Sequence, residues 1–204
     1  MIAVLDYGIG NLRSAEKALQ HLGSDASLVA DPHVAAGASA VVLPGVGNFG
    51  RCMSALRSSG LDRVVKEAVA EGKPFLGICV GMQMLYDGSE ESPGVAGLGV
   101  LPGVVVRLPD GVKRPQMQWN RLQLAQPDHP MVAGLGVEPW VYFVHSFAPP
   151  GAASGVVATC DYGGRVVAAV SAGGVWATQF HPEKSGAIGL ALLANFVTAT
   201  ATAA

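Results

Sequence analysis

Short apolar runs alternate with amphipathic stretches through the first half of the chain. Ile2–Leu5, Ser27–Ala30, Ala40–Leu43 and Pro74–Ile78 are bounded by Gly, Pro or Asp and lack the polar alternation of a half-exposed strand. They read as strands buried on both faces. Between the first two, apolar Leu12, Ala15, Ala18, Leu19 and Leu22 recur at helical spacing over Asn11–His21 and just beyond. A second helical segment, LDRVVKEAVAEG, closes on Gly72 ahead of Pro74. This strand–helix alternation predicts a parallel sheet covered on both sides. Later the pattern changes. Val156–Thr159 and Arg165–Val170 flank CDYGG, and SAGG separates the latter from Val175–Gln179, so an antiparallel meander is expected. No repeat or linker divides the sequence, and residues 1–204 are expected to form one α/β domain, a sandwich with an antiparallel extension.

Composition narrows the function. Hydrophobic residues make up 50% of the 204 and charged ones 14%, against about 25% charged in typical soluble domains. Either a partner covers much of the surface or the Ala/Gly richness reflects genome composition. A formal net charge of −2 with scattered Lys and Arg supplies no basic stripe for nucleic acid and no polybasic segment for a membrane, so small-molecule substrates are expected. The N-terminus lacks a basic leader, and Gly186–Ala204 reads as a buried terminal helix with a loose tail rather than a span. Three irregularly spaced cysteines fit neither a disulfide framework nor a zinc site and suit a reducing cytoplasm.

One of those cysteines sits in PFLGICVGMQML. GICVG has the form of the nucleophile elbow G-x-S-x-G with Cys79 at its centre, after a strand and before a helical pattern. Gly77 and Gly81 permit a sharp turn that would lift the sulfur above the sheet, and the N–H groups opening the next helix would favour a thiolate. An isolated cysteine is more commonly a small buried hydrophobe, the reading adopted for Cys52 and Cys160. A nucleophile needs a base, and His181 in WATQFHPEKSG follows a buried-looking strand with Glu183 two residues on. That spacing lets a carboxylate hold the imidazole, completing a Cys-His-Glu triad; the alternative is a turn histidine beside a solvated glutamate. Oxyanion donors would come from the N–H of Val80 and from Gly45, Val46 or Gly47 in VVLPGVGNFG, although the same residues could form an ordinary Gly-rich turn.

Taken in order, PGVGNFG, GICVGMQML, YFVHSF and QFHPEKSG resemble the class I glutamine amidotransferases, and most closely their imidazole glycerol phosphate synthase branch, over essentially the whole chain. The resemblance implies a three-layer, flavodoxin-like α/β/α sandwich with a mostly parallel central sheet. It implies glutamine hydrolysis at Cys79 through a thioester, with His181 passing protons, and no metal or cofactor. Gln83 matches a residue that holds L-glutamine, and His145, Ser146 and Phe147 match the segment around its amino-acid end. Ammonia would pass to a (β/α)8-barrel cyclase in a heterodimer, with Lys184 at the interface and Asn11, Arg13, Trp119, Asn120 and Tyr142 in segments facing the barrel. Two departures stand out. RPQMQWN carries Gln116 and Gln118 where the family commonly has histidine and glycine, and Phe147 stands where tyrosine is frequent. A stand-alone γ-glutamyl hydrolase shares the elbow and the histidine, and a non-catalytic binding module would keep the elbow without needing His181 and Glu183 together.

Overall fold

The computed structural model describes residues 1–202. Its first half alternates β1 (Ile2–Leu5), α1 (Leu12–His21), β2 (Ala26–Val29), α2 (Pro32–Ala36), β3 (Ala40–Gly45), α3 (Phe49–Ser58), α4 (Leu61–Ala70), β4 (Phe75–Cys79) and α5 (Val80–Gln83). The remainder holds β5 (Gly88–Ser89), β6 (Val104–Arg107), β7 (Gln116–Arg121), β8 (Gln123–Leu124), β9 (Trp140–His145), β10 (Phe147–Ala148), β11 (Val156–Asp161), β12 (Arg165–Ala172), β13 (Val175–Thr178) and α6 (Gly186–Thr202).

The main sheet runs β2-β1-β3-β4-β13-β12-β11-β8. Strands β2 to β13 in that order are parallel, and β12, β11 and β8 extend the sheet antiparallel. Every residue of β1, β3 and β4 is buried, as their unbroken apolar runs require. Right-handed crossovers fix the layers: stepping from β1 to β2 puts α1 on one face, and stepping back through β3 to β4 puts α2, α3 and α4 on the other. Accordingly α6 packs with α1, while α2 and α3 pack with α4. The outcome is an α/β/α sandwich with the expected antiparallel extension.

Two local expectations are corrected. The apolar pattern after Cys79 continues to Leu85, yet α5 is a single turn. Its would-be successors spend their carbonyls elsewhere: Met84, Leu85 and Tyr86 accept N–H bonds from Leu98, Val100 and Gly99 at 2.8, 2.8 and 3.3 Å, which a continuing helix would need for itself. At the C-terminus the loose tail is instead helical to Thr202. Leu192, Leu193 and Phe196 are buried on α6, and the Thr198 and Thr200 hydroxyls donate to Ala194 O and Val197 O at 3.0 and 2.7 Å. Among the described residues no helix is long and apolar enough to cross a membrane.

Apart from the main sheet, β7 and β9 form a two-stranded antiparallel ribbon, and β10, β6 and β5 a small sheet. RPQMQWN is therefore largely strand. Gln118 is paired with Phe143 and has no positive φ, so the position does not require the glycine common in the family.

Candidate active site

Cys79 ends β4 with φ 55° and ψ −113°, the one positive φ at a non-glycine among the described residues. Such a conformation costs about 1–3 kcal/mol and persists only where its surroundings enforce it. Here the enforcement is close backbone packing. A Cβ at Gly81 would lie 1.8 Å from Leu43 O, and one at Gly45, the β3 residue paired with Cys79 of β4, would lie 2.7 Å from Gly81 N. The elbow thus presses directly on β3. Its thiol does not stand clear of the sheet, being 2% exposed and opening only into a cleft of about 130 Å³. Because α5 is one turn, no macrodipole accumulates behind it. What it offers is the unbonded N–H groups of a first turn, Val80 among them.

The opposite wall comes from β13. Its register pairs Thr178 with Ile78 on β4, so the following residues, Gln179 and Cys79, lie level at the sheet's edge. Phe180 turns into the core and His181 faces the cleft. A 3-10 turn over Pro182–Lys184 brings Glu183 back beneath the ring, with Oε1 2.8 Å from Nδ1. Both side chains are almost excluded from solvent, at 2% and 3% exposure. The turn is braced, since His181 N–H donates to Tyr142 O at 3.0 Å and Ser185 Oγ donates to His181 O at 2.6 Å. Nε2 is buried without a hydrogen-bond partner, leaving it available to the thiol or to a substrate. Burial opposes charging the ring, but Cys79 and Glu183 outweigh it, so the net effect raises His181 above the ordinary histidine value. The arrangement thus favours the charged form of the His181 ring.

Val46, Gly47 and Val80 line the same cleft as Cys79 and His181. The family model for class I glutamine amidotransferases matches residues 3–200. The chain belongs to this family. Imidazole glycerol phosphate synthase subunit HisH of Methylococcus capsulatus is 49% identical, the match spanning 96% of this chain and 95% of that protein. Its namesake in Methanothermobacter thermautotrophicus is 48% identical over 97% and 98%. A solved glutamine amidotransferase superposes with a TM-score of 0.77 at 26% identity, covering 98% of both chains. PurLQS from Thermotoga maritima shares the fold, with a TM-score of 0.75 at 21% identity over 97% of each.

In this amidotransferase the other expected binding residues complete the cleft: Gln83, His145, Ser146 and Phe147 all line it. Gln83 Nε2 donates to Phe147 O at 2.9 Å and to Gln179 Oε1 at 3.0 Å. His145 is buried with Nδ1 2.8 Å from Phe147 O, and burial, then the nearby His181, carries its pKa down to about 4 despite that bond. Gly45 is absent from the lining; its place is the packing contact under the elbow.

Three participants were not read from the sequence. Glu91 lines the cleft and accepts from Phe49 N–H at 2.7 Å. Gln179 donates to Cys79 Sγ at 3.6 Å, a contact set by strand register that no local pattern announces. Cys52 is buried, its thiol pushed up to about 11 chiefly by burial, yet it also donates to Val46 O at 3.4 Å and so holds the glycine loop. Cys160 is likewise pushed up to about 11 by burial.

The residues expected to face a partner are spread over neighbouring elements. Trp119 and Tyr142 sit opposite each other on the ribbon, their rings 6.2 Å apart. Asn120 points the other way, its amide donating to Asp161 O at 2.9 Å. Lys184 is exposed on the Pro182–Lys184 turn, Arg13 is exposed in the first turn of α1, and Asn11 precedes that helix and accepts from Ser14 Oγ at 2.9 Å.

Proposed function

We propose that this amidotransferase is the glutaminase subunit of an imidazole glycerol phosphate synthase, hydrolysing L-glutamine and passing ammonia to a (β/α)8-barrel cyclase for histidine biosynthesis. The observation that carries the reading is the buried His181–Glu183 pair set beside an elbow cysteine in one cleft, in a chain nearly half identical to HisH proteins along its length.

Cys79 Sγ, as the thiolate, adds to the side-chain carbonyl carbon of glutamine. Val80 N–H and a backbone N–H of the Val46–Gly47 segment, which line the same cleft, receive the oxyanion in this reading. Protonated His181 gives its proton to the amide nitrogen, the C–N bond breaks, and ammonia leaves a glutamyl thioester. The now neutral His181 takes a proton from water, whose oxygen attacks the thioester; glutamate departs and the thiolate–imidazolium pair is restored. Glu183 keeps Nδ1 protonated and the ring aimed through both half-reactions. Glu91, the acidic residue of the lining, has an oxygen beyond its Phe49 bond for the α-ammonium group of the substrate.

A barrel partner suits the ribbon. Met117, Trp119 and Trp140 are 61%, 48% and 52% exposed, large apolar side chains that a free surface rarely clusters. Tyr142, on the same strands, binds the triad turn through both main-chain groups, its N–H donating to Ser185 Oγ at 3.0 Å and its carbonyl receiving His181 N–H. Lys184 lies on that turn, so a partner seated there touches elements that hold His181. A stand-alone hydrolase has no use for such a face. The enzyme is placed in the cytoplasm, where its three free thiols stay reduced.

Glutamate formation by the purified chain, alone and with a barrel cyclase and its nucleotide substrate, tests the reading. Hydrolysis should rise sharply with the partner present, and Cys79→Ala should abolish it while leaving the complex intact. An active Cys79→Ala variant would defeat the assignment.

A further inference from the structure

Gln179 has no part in the mechanism above, yet it is fully buried between the nucleophile Cys79 and Gln83, the side chain expected to hold glutamine. Its Nε2 donates to Cys79 Sγ at 3.6 Å and its Oε1 accepts from Gln83 Nε2 at 3.0 Å. The backbone is pinned as well, Gln179 N–H donating to Ala168 O at 2.8 Å.

Carboxamides can be turned over, so the direction of these bonds must be derived. It follows from one group that cannot be reversed. The Phe147 carbonyl only accepts, and Gln83 lies 2.9 Å from it, so Gln83 must present its NH2 there. The second proton of that NH2 then points to Gln179, which must answer with its carbonyl oxygen. That leaves the Gln179 NH2 facing the sulfur and the Gln83 carbonyl oxygen facing the cleft that Gln83 lines. Every link has its polarity set from the Phe147 carbonyl outward.

We infer that Gln179 is a positioning residue that couples the nucleophile to the substrate-holding side chain: one end of its carboxamide holds Cys79 Sγ with an N–H, and the other locks Gln83 with its acceptor oxygen toward the substrate. The inference rests on Cys79 being the nucleophile proposed above and on Gln83 holding glutamine, as the family resemblance implies. An N–H aimed at the sulfur stabilises it more as the thiolate than as the thiol. An acceptor held toward the cleft suits an ammonium or amide N–H of glutamine, and rejects an oxygen there.

The test uses the full chain with Gln179→Met, which keeps the volume and removes both polar ends. The rate constant for alkylation of Cys79 by iodoacetamide at pH 7, followed on the Cys79 peptide, should fall about 10- to 100-fold, the span expected for a hydrogen bond to a charged group. In the complex with its cyclase, kcat should fall similarly and KM for glutamine should rise about tenfold as Gln83 loses its lock. Gln179→Glu, which keeps the shape but sets a carboxyl against the sulfur, should slow alkylation too and serves if the methionine variant does not fold. A folded variant with both the alkylation rate constant and KM within twofold of wild type overturns the inference, since a filler of space would change the amount of folded protein and neither constant. Should wild-type Cys79 alkylate no faster than Cys52 and Cys160, the nucleophile reading itself fails, and the inference with it.

Discussion

Replacing Glu183 with glutamine tests the triad without changing its shape. The bond that is weakened is 2.8 Å long, between side chains only 2% and 3% exposed, so solvent screens it little and the upper range for a charged hydrogen bond applies, about 1.5–3 kcal/mol. At about 1.4 kcal/mol per tenfold, that is a loss of about 10- to 150-fold in kcat. The second carboxylate oxygen is buried and unpartnered, so the new NH2 would sit there as an unsatisfied donor, adding to the cost. The pH profile gives an independent sign. Burial lowers the His181 value while Cys79 and Glu183 raise it, the net being upward to about 10. A histidine raised on folding contributes stability that is fully present below its unfolded value, about 6.5, and lost as pH climbs through the folded one. With the carboxylate neutralised, the window should close from its upper side. Glutamate release in a coupled dehydrogenase assay, across the alkaline range in the complex, should show the high-pH limb of kcat moving toward neutrality in Glu183→Gln. An unchanged limb together with kcat within twofold of wild type would refute the role given to Glu183.

Gly81→Ala forces a Cβ to 1.8 Å from Leu43 O, a backbone atom of a fully buried strand; it should cost about 3 kcal/mol or more in urea melts, whereas Gly151→Ala, with nothing within 4 Å, should fall within about 1 kcal/mol of wild type. Equal losses would show that the elbow does not depend on that contact. Cys52 and Cys160, both pushed up to about 11 by burial, should resist iodoacetamide at pH 8 in the folded chain while Cys79 reacts, and uniform labelling would contradict the distinction. Trp119→Ala should weaken binding of the cyclase about tenfold or more, as loss of an aromatic anchor does, without slowing Cys79 alkylation; unchanged affinity would move the interface off the ribbon.

What could be read from the sequence follows from what local pattern encodes. Ile2–Leu5 is strand to the residue, and β3 and β4 are displaced only at their ends, because an unbroken apolar run has one use in a layered sheet. Cys79 and His181 could be found because a turn motif and a short His-x-Glu spacing are themselves local. The single turn of α5 could not, since the helix stops where residues 98–100, from another segment, capture the carbonyls of Met84, Leu85 and Tyr86 that follow it. The ribbon was obscured by an inverted pattern: Gln116 is buried while Met117 and Trp119 are exposed. The contact of Gln116 with His145 accounts for its burial, and the exposed Met117 and Trp119 suit the partner face proposed above. Gln179 and Glu91 enter the site only through strand register and loop placement, which leave no trace in composition.

The departure at Gln116 is resolved by the same donor-and-acceptor reasoning that fixes Gln179. Gln116 and His145 are direct partners across the ribbon, with the carboxamide 3.0 Å from Nε2. His145 is neutral at pH 7, since burial takes it down to about 4, so it has one N–H to give. Phe147 O can only accept and lies 2.8 Å from Nδ1, so the proton is on Nδ1 and Nε2 must be an acceptor. The requirement at position 116 is therefore a buried donor facing Nε2. The structure sets the Gln116 oxygen toward Nε2 at 3.0 Å and its NH2 toward Cys160 Sγ at 3.9 Å; the requirement is met when this carboxamide is assigned the other way round, NH2 to the ring and oxygen to the Cys160 thiol. A histidine, common there in the family, can meet it too, but as a second titratable ring beside His145 in a fully buried place. Glutamine keeps the donor and removes the titration. The Phe147 carbonyl, held by His145 on one side, then keeps its aim at Gln83 on the other, and the chain of bonds to Cys79 survives the substitution.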